Sequence, residues 1–232
     1  MRGKHAVCGG SACGVSSIRQ GFEAERRPLQ GAATYDGVMT KGIAEIVWFA
    51  GLVAWYIIRF PFERRANQVA VRKSFADRLD WSALALAVAG LFAIPAAYTL
   101  TGFPSSLDRP FVPAIAWLGI VPLAAALWLF YRSHVDLGRN WSVTLKVRRK
   151  HVLIKSGVYR LVRHPMYTSF FLLGVAQLLL LPNWLAGLAG PAGAGTLYIF
   201  RVFREERMMI EYFGDEYRTY MAATKRLIPW IL

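Results

Sequence analysis

The sequence predicts an all-α integral membrane protein with five transmembrane helices. Of its 232 residues, 55% are hydrophobic, and a mean hydropathy of +0.33 is too high for an ordinary soluble domain. The net charge of +14 is concentrated in segments between long apolar runs, a pattern typical of membrane-protein loops rather than of nucleic-acid-binding surfaces. The two cysteines, Cys8 and Cys13, indicate neither a disulfide framework nor a metal site.

The apolar runs define the predicted topology. A transmembrane helix needs about 20 predominantly apolar residues, and the runs that meet or approach this length are residues 43–60, 81–103, 111–131, 166–181 and 185–203. Pro95 should kink the second run. One side of this topology holds the basic loops at residues 61–80 and 132–163 and the C-terminal tail, and by the positive-inside rule that side faces the cytoplasm. We therefore expect a multi-pass protein of the inner (cytoplasmic) membrane.

The chain divides into three predicted regions. Residues 1–40 are rich in Gly, Ser, Ala and Arg without helical or strand periodicity, so we interpret them as a disordered N-terminal tail. Residues 41–131 contain the first three helices. Residues 132–232 contain a strongly basic loop, the last two helices and an amphipathic tail, and form the predicted functional core.

Two local patterns predict further structure in this last region. Alternating apolar and polar residues at 143–148, followed by a short apolar run at 152–154, predict a small β-hairpin. Gly214 followed by Asp215 predicts the end of one helix and the N-cap of the next.

Polar chemistry is concentrated at one predicted membrane surface. Residues 155–167, KSGVYRLVRHPMY, directly precede the uncharged fourth run. Partly desolvated charge in a membrane protein is costly unless it is paired or used, so this segment is a candidate site. A short turn at residues 182–184 would fold the last two helices antiparallel and bring Glu205 and Glu206 close to it.

The ordered motifs resemble a known family. The motifs are, in order, GVY at 157–159, RHPMY at 163–167, the glutamate pair, FGDEY at 213–217, and then Tyr220 and Pro229. This series is similar to the integral-membrane methyltransferases that use S-adenosylmethionine, the isoprenylcysteine carboxyl methyltransferase and phospholipid methyltransferase group. LGRNWS at 137–142 is similar to a segment upstream of these motifs. The resemblance implies a cytoplasmic cofactor pocket formed by the basic loop, the last helical hairpin and the C-terminal helices, with a lipophilic acceptor entering from the bilayer. The cofactor-binding residues that it implies are Lys155, Gly157, Val158, Tyr159, His164, Tyr167, Glu205 and Glu206.

The residue types agree with methyl transfer. Transfer from a sulfonium is an in-line displacement in which the protein mainly aligns the reactants. An ionised carboxylate acceptor needs a cation in a site of low dielectric constant, and the forked guanidinium of Arg163 suits that role. We expect Arg163 and His164 to be the catalytic residues, with His164 holding cofactor or substrate. Glu205 or Glu206 would accept hydrogen bonds from the cofactor's hydroxyl or amino groups.

Other interpretations stay open at this point. N-methylation of a phospholipid headgroup would require a base, for which His164, Glu205 or Glu206 could serve. A noncatalytic lipid-binding protein is a third possibility, in which Arg163 would be an interfacial arginine. Membrane lipids are expected partners and nucleic acid is not, while the sequence does not identify the acceptor or the oligomeric state.

Overall fold

The computed structural model describes residues 39–67, 71–74, 77–138, 146–148 and 152–231. Most of the predicted N-terminal tail, and most of residues 139–151, therefore lie outside the described residues. The described helices are α1 (Lys41–Asn67), α2 (Arg78–Val88), α3 (Ile94–Thr101), α4 (Pro113–Leu137), α5 (Pro165–Leu180), α6 (Trp184–Phe213) and α7 (Asp215–Ala223). The predicted all-α class is confirmed for this part of the chain, apart from one short two-stranded ribbon.

Three helical segments are long and apolar enough to cross a membrane, namely Lys41–Ala66, Arg78–Thr101 and Pro113–Leu137. They correspond to the first three predicted spans. Helix α5 is apolar but has 16 residues, and α6 does not meet the same criteria of length and composition. A multi-pass membrane protein is therefore supported, while the fourth and fifth spans stay predictions.

The second span is interrupted where the sequence predicted a kink. Residues Ala89–Ala93 form a π-helical turn between α2 and α3, and Pro95 lies in the first turn of α3. Pro95 has no backbone N–H to donate, because its nitrogen is part of the pyrrolidine ring. The wider turn just before it therefore accommodates the missing donor, and the carbonyl oxygen of Gly90 accepts a hydrogen bond from Gln177 Nε2 at 3.1 Å.

Small residues let α2, α5 and α6 approach closely. A Cβ atom at Gly193 would lie 3.2 Å from the carbonyl oxygen of Ala87 and 3.3 Å from the Cα of Gly90. At Gly174, a Cβ atom would lie 2.7 Å from the backbone nitrogen of Pro191. Glycines at such contacts allow helix backbones to meet. The main buried cluster lies beside these contacts and includes Trp48, Leu91, Tyr98, Leu123, Leu173 and Leu180.

The predicted β-hairpin is wrong, because its first strand pairs with a different segment of the chain. Strand β2 (Lys146–Arg148) pairs antiparallel with β1 (Val71–Ser74), which lies between α1 and α2. Residues 152–154 form no strand. Because α1 packs against α4, the segments that follow these two helices emerge side by side, and tertiary packing rather than local sequence selects the pairing.

The bundle end opposite the candidate site is closed by hydrogen bonds around Asn183. We call residues 104–110 and 181–186 the turn end. The Nδ2 of Asn183 donates to the carbonyl oxygen of Pro104 and to Asp108 Oδ1, both at 2.8 Å. Its Oδ1 accepts the N–H of Ala186 at 3.0 Å and so caps α6. Asn183 thus joins the last helical hairpin to the loop before α4.

Helix α6 continues well past its predicted membrane end at residue 203. It forms one 30-residue helix, Trp184–Phe213, so Glu205 and Glu206 lie on its extension and not in a loop. Gly214, with φ of 58°, ends this helix, and α7 begins at Asp215. The predicted break is confirmed, but Gly214 and not Asp215 occupies the N-cap position.

Candidate functional site

Asp136, near the end of α4, binds the backbone of the segment that leads into the candidate site. The Oδ2 of Asp136 accepts the N–H of Val158 at 2.9 Å, and Arg132 binds the other carboxylate oxygen at 2.9 Å. Gly157 has a φ of +62°, and a Cβ atom there would overlap the Asp136 carboxylate. The family resemblance implied that Gly157 contacts the cofactor. In the structure, the group that approaches Gly157 is the Asp136 side chain.

Val158 and Tyr159 face the protein interior. Their exposed fractions are 5% and 8%. The Tyr159 carbonyl oxygen accepts the Tyr220 hydroxyl at 2.5 Å, and the Tyr159 hydroxyl lies 3.4 Å from the carbonyl oxygen of Ser133. Burial raises the pKa of Tyr159 well above its ordinary value. Tyr159 therefore connects α4 to α7 next to the candidate site.

Lys155 lies away from the buried charges. Its Nζ binds Glu216 Oε1 at 2.7 Å, and about half of each side chain is exposed. Among the described residues, the ion-pair partner of Lys155 is therefore Glu216 and not Glu205 or Glu206, with which the sequence grouped it.

The predicted convergence of residues 163–167 with the glutamate pair is present, and it is centred on Glu206. Its side chain is 5% exposed. Glu206 Oε1 accepts from Arg163 Nε at 3.1 Å, and His164 Nε2 lies 3.3 Å from the same oxygen. Arg226 Nη2 donates to Oε2 at 2.7 Å. We call Arg163, His164, Glu206 and Arg226 the Glu206 cluster.

The cluster keeps Glu206 ionised. Burial by itself raises the pKa of this carboxyl group, but hydrogen bonds from His164 and Arg226 and the charge of Arg163 outweigh it, so the net pKa lies well below its ordinary value. Hydrogen bonds between charged groups are stronger than neutral ones. Glu206 therefore acts as a fixed anion that orients the cations around it.

The tail after α7 completes the cluster with its backbone. The N–H of Arg163 donates to the Lys225 carbonyl oxygen at 2.7 Å, and the N–H of His164 donates to that of Arg226 at 2.9 Å. Arg163 Nη1 donates to the carbonyl oxygens of Met221, at 3.0 Å, and Thr224. Within the described part of the chain, Arg163 Nη2 donates to no acceptor.

Glu205 is held more loosely than its neighbour. Its Oε2 accepts the Tyr167 hydroxyl at 3.0 Å and lies 3.8 Å from His164 Nδ1. Its Oε1 accepts no hydrogen bond from the described residues, and 33% of the side chain is exposed. The two adjacent glutamates therefore differ in their hydrogen bonds. Both carboxylate oxygens of Glu206 accept hydrogen bonds, whereas Glu205 Oε1 can still accept one.

Two further ion pairs connect α6 to the start of α2, and their arginines precede Glu205 on α6. Arg201 Nε lies 2.7 Å from Asp80 Oδ1, a buried contact that is electrostatic rather than a directed hydrogen bond. Arg204 donates two hydrogen bonds to Asp77, at 2.9 and 2.7 Å. Sequence reasoning missed the site-supporting roles of Asp80, Arg201 and Arg226. Arg201 did carry a signal, because a charge inside an apolar run requires a partner.

The site-bearing region matches proteins of one family. Residues 117–211 match the model of the isoprenylcysteine carboxyl methyltransferase (ICMT) family. The protein-S-isoprenylcysteine O-methyltransferase of Schizosaccharomyces pombe is 31% identical over 111 residues, which cover 47% of this chain and 47% of the relative. The probable protein-S-isoprenylcysteine O-methyltransferase of Oryza sativa subsp. indica is 27% identical over 190 residues, 81% of this chain and 94% of the relative.

A solved structure shows the same fold. The eukaryotic intramembrane Ras methyltransferase ICMT is similar with a TM-score of 0.51 at 21% identity, over 84% of this chain and 69% of that one. The chain spans about half the length of the fission yeast relative and nearly all of the rice relative.

Proposed function

We propose that this chain, which belongs to the isoprenylcysteine carboxyl methyltransferase family, transfers a methyl group from S-adenosylmethionine to a carboxylate of a lipophilic acceptor. The observation that carries the proposal is an unused hydrogen-bond donor in the Glu206 cluster and an unused acceptor beside it. Glu205 Oε1 and Arg163 Nη2 remain without partners among the described residues, beside charges that are otherwise tightly paired.

Glu205 fits the cofactor. S-adenosylmethionine supplies a methyl group on a positively charged sulfonium and carries hydroxyl and amino groups that need acceptors. A partly exposed carboxylate with one free oxygen provides such an acceptor,. His164 and Tyr167 lie on the other side of Glu205, with the Tyr167 hydroxyl holding its second oxygen in place. We assign cofactor contacts to Glu205, His164 and Tyr167, and a positioning role to Glu206.

Arg163 fits the acceptor. A carboxylate is ionised near neutral pH and needs no general base, but it needs a cation to hold it at a membrane surface. The Nε and Nη1 atoms of Arg163 are fixed by Glu206 and by backbone carbonyls, and the side chain is 8% exposed. This fixed guanidinium would present Nη2 in one direction. Alignment of this kind can supply much of the barrier reduction in a displacement reaction.

The acceptor would reach the site from the bilayer. The site lies where α5 begins and where the apolar part of α6 ends, so an isoprenyl chain could remain in the membrane while its carboxylate meets Arg163. We place this surface on the cytoplasmic side, where the basic segments lie.

A methyl-transfer assay in nanodiscs tests the proposal. Purified protein would receive S-adenosylmethionine with a radiolabelled methyl group and either N-acetyl-S-farnesylcysteine or its carboxamide analogue. We expect base-labile methyl ester with the free carboxylate and none with the carboxamide. Base-stable label on phosphatidylethanolamine would instead identify a headgroup N-methyltransferase, and folded protein that labels neither acceptor would contradict methyl transfer to these classes.

A further inference from the structure

A basic cleft lies beside the C-terminal tail, outside the Glu206 cluster. A cavity of about 120 Å³ is lined by residues that include Arg160, Leu161, Lys225 and Trp230. Arg160 also lines an adjoining cavity of about 430 Å³. The tail residues of this cleft lie beyond the region that matches the family model, which ends at residue 211.

The cleft carries uncompensated positive charge. The side chains of Arg160 and Lys225 form no ion pair with the described residues. The one acidic side chain among the residues lining the two cavities is Glu216, which Lys155 already neutralises at 2.7 Å. The cleft therefore favours an anion.

The rim of the cleft is apolar and lies at the predicted membrane boundary. Trp230 and Ile231 are 87% and 76% exposed. The guanidinium of Arg226 lies 4.9 Å from the ring centroid of Phe203, the last residue of the fifth predicted span. Leu161 lies four residues before α5, which contains the fourth span. Tryptophan is enriched at the level of lipid headgroups, where its ring meets both apolar and polar surroundings.

We propose that this cleft binds the phosphate of an anionic phospholipid, with Trp230 and Ile231 inserted into the surrounding interface. Arg160 and Lys225 supply the charge complementary to the phosphate, and the exposed apolar side chains explain why the ligand is a lipid and not a soluble anion. Each basic residue near an anionic membrane surface contributes about fivefold to binding.

Lipid binding at this position would act on the candidate site through the backbone. Lys225 supplies both a cation of the cleft and the carbonyl oxygen that accepts the N–H of Arg163 at 2.7 Å. The carbonyl oxygen of Arg226 accepts the His164 N–H at 2.9 Å, and that of Leu227 accepts the Thr168 hydroxyl at 2.8 Å. A headgroup that holds the tail therefore also holds the segment carrying Arg163 and His164.

Site-specific quenching tests the lipid contact in the full chain. With Cys8 and Cys13 replaced by serine, an Ile231→Cys variant would carry an environment-sensitive fluorophore in nanodiscs containing brominated phosphatidylglycerol or brominated phosphatidylcholine. We expect half-maximal quenching at a lower mole fraction of brominated phosphatidylglycerol than of brominated phosphatidylcholine. Arg160→Gln and Lys225→Gln should each raise that fraction about fivefold.

Arg218→Gln is the matched control, because it removes one exposed positive charge from α7 that is paired with Asp215 and lies outside both cavities. It should leave the quenching unchanged. Equal quenching by the two lipids, or the same loss in the control, would overturn the proposal.

Hydrogen exchange tests the coupling to the site. The amide hydrogens of Arg163 and His164 should exchange several-fold more slowly in nanodiscs with phosphatidylglycerol than in nanodiscs with phosphatidylcholine alone, and this difference should disappear in Lys225→Gln. Equal exchange in the two lipids would remove the coupling. Neither measurement requires methyl transfer, so the inference fails or holds independently of the proposed activity.

Discussion

The two ends of the helical hairpin α5–α6 both bury polar groups, but they use them differently. At the turn end, the side chain of Asn183 places both of its donor hydrogens and its oxygen in hydrogen bonds. At the other end, Glu206 collects donors from three residues, while Glu205 and Arg163 keep an acceptor and a donor unused. A closed network fixes a structure, whereas a network with open positions is ready for a ligand.

Substitution of Glu206 should give the largest effect on stability. Glu206→Gln leaves the buried Arg163 guanidinium and the partly exposed Arg226 guanidinium without their anion, and breaking a buried ion pair on one side costs about 3–5 kcal/mol. We expect the free energy of unfolding in detergent to fall by this amount. Glu205→Gln is the matched control, with the same change one residue away. Equal losses in the two variants would refute the distinction between the glutamates.

Substitution of Glu205 should instead affect ligand binding. Glu205→Gln removes the proposed charged acceptor, and a hydrogen bond to a charged group contributes about 1.5–3 kcal/mol. We expect the affinity for S-adenosylhomocysteine, measured by calorimetry, to fall roughly 10-fold to 100-fold, with little change in unfolding. Unchanged affinity would exclude Glu205 from the cofactor site.

Substitution at the turn end should separate stability from binding. Asn183→Ala removes a helix cap and two further hydrogen bonds, so we expect a loss of about 2 kcal/mol in the free energy of unfolding. The affinity for S-adenosylhomocysteine should not change. A weaker affinity in this variant would show that the two ends are coupled and not independent.

A smaller effect should appear on acidification. The pKa of Glu206 is lower in the folded protein than its ordinary value of 4.5, so its stabilising contribution is complete above pH 4.5 and declines as the pH falls towards the depressed value. Between pH 7 and pH 4 we expect a loss of about 1 kcal/mol that Glu206→Gln lacks. Parallel thermal unfolding of both proteins at these pH values measures it.

Local patterns predicted the helices and the meeting of the two segments that form the candidate site. The antiparallel hairpin followed from a short turn between two apolar runs, and that geometry brings His164 to Glu206. What the sequence could not provide were the partners chosen by tertiary packing. Arg226 reaches Glu206 because the tail folds back on α5, and Asp136 occupies the space beside Gly157 because α4 ends there.

The strand pairing has the same origin. Alternation indicated strand character near residues 146–148, but the partner is Val71–Ser74, more than seventy residues earlier. A pattern in the sequence reports the preference of one segment, while pairing depends on which loops the helices bring together.

Helix α6 is one continuous helix of 30 residues, and as the predicted fifth span it would set a fixed distance across the bilayer. At 1.5 Å per residue, the 23 residues from its cap at Asn183 to Glu206 measure roughly 35 Å. The turn end and the charged end are therefore held at a fixed separation, whereas the hydrocarbon thickness of membranes varies by several ångströms. In bilayers of short-chain lipids, α6 would lift the charged groups into water, and in long-chain lipids it would draw them towards the hydrocarbon. The proposed methyl transfer should therefore have an optimum of lipid chain length.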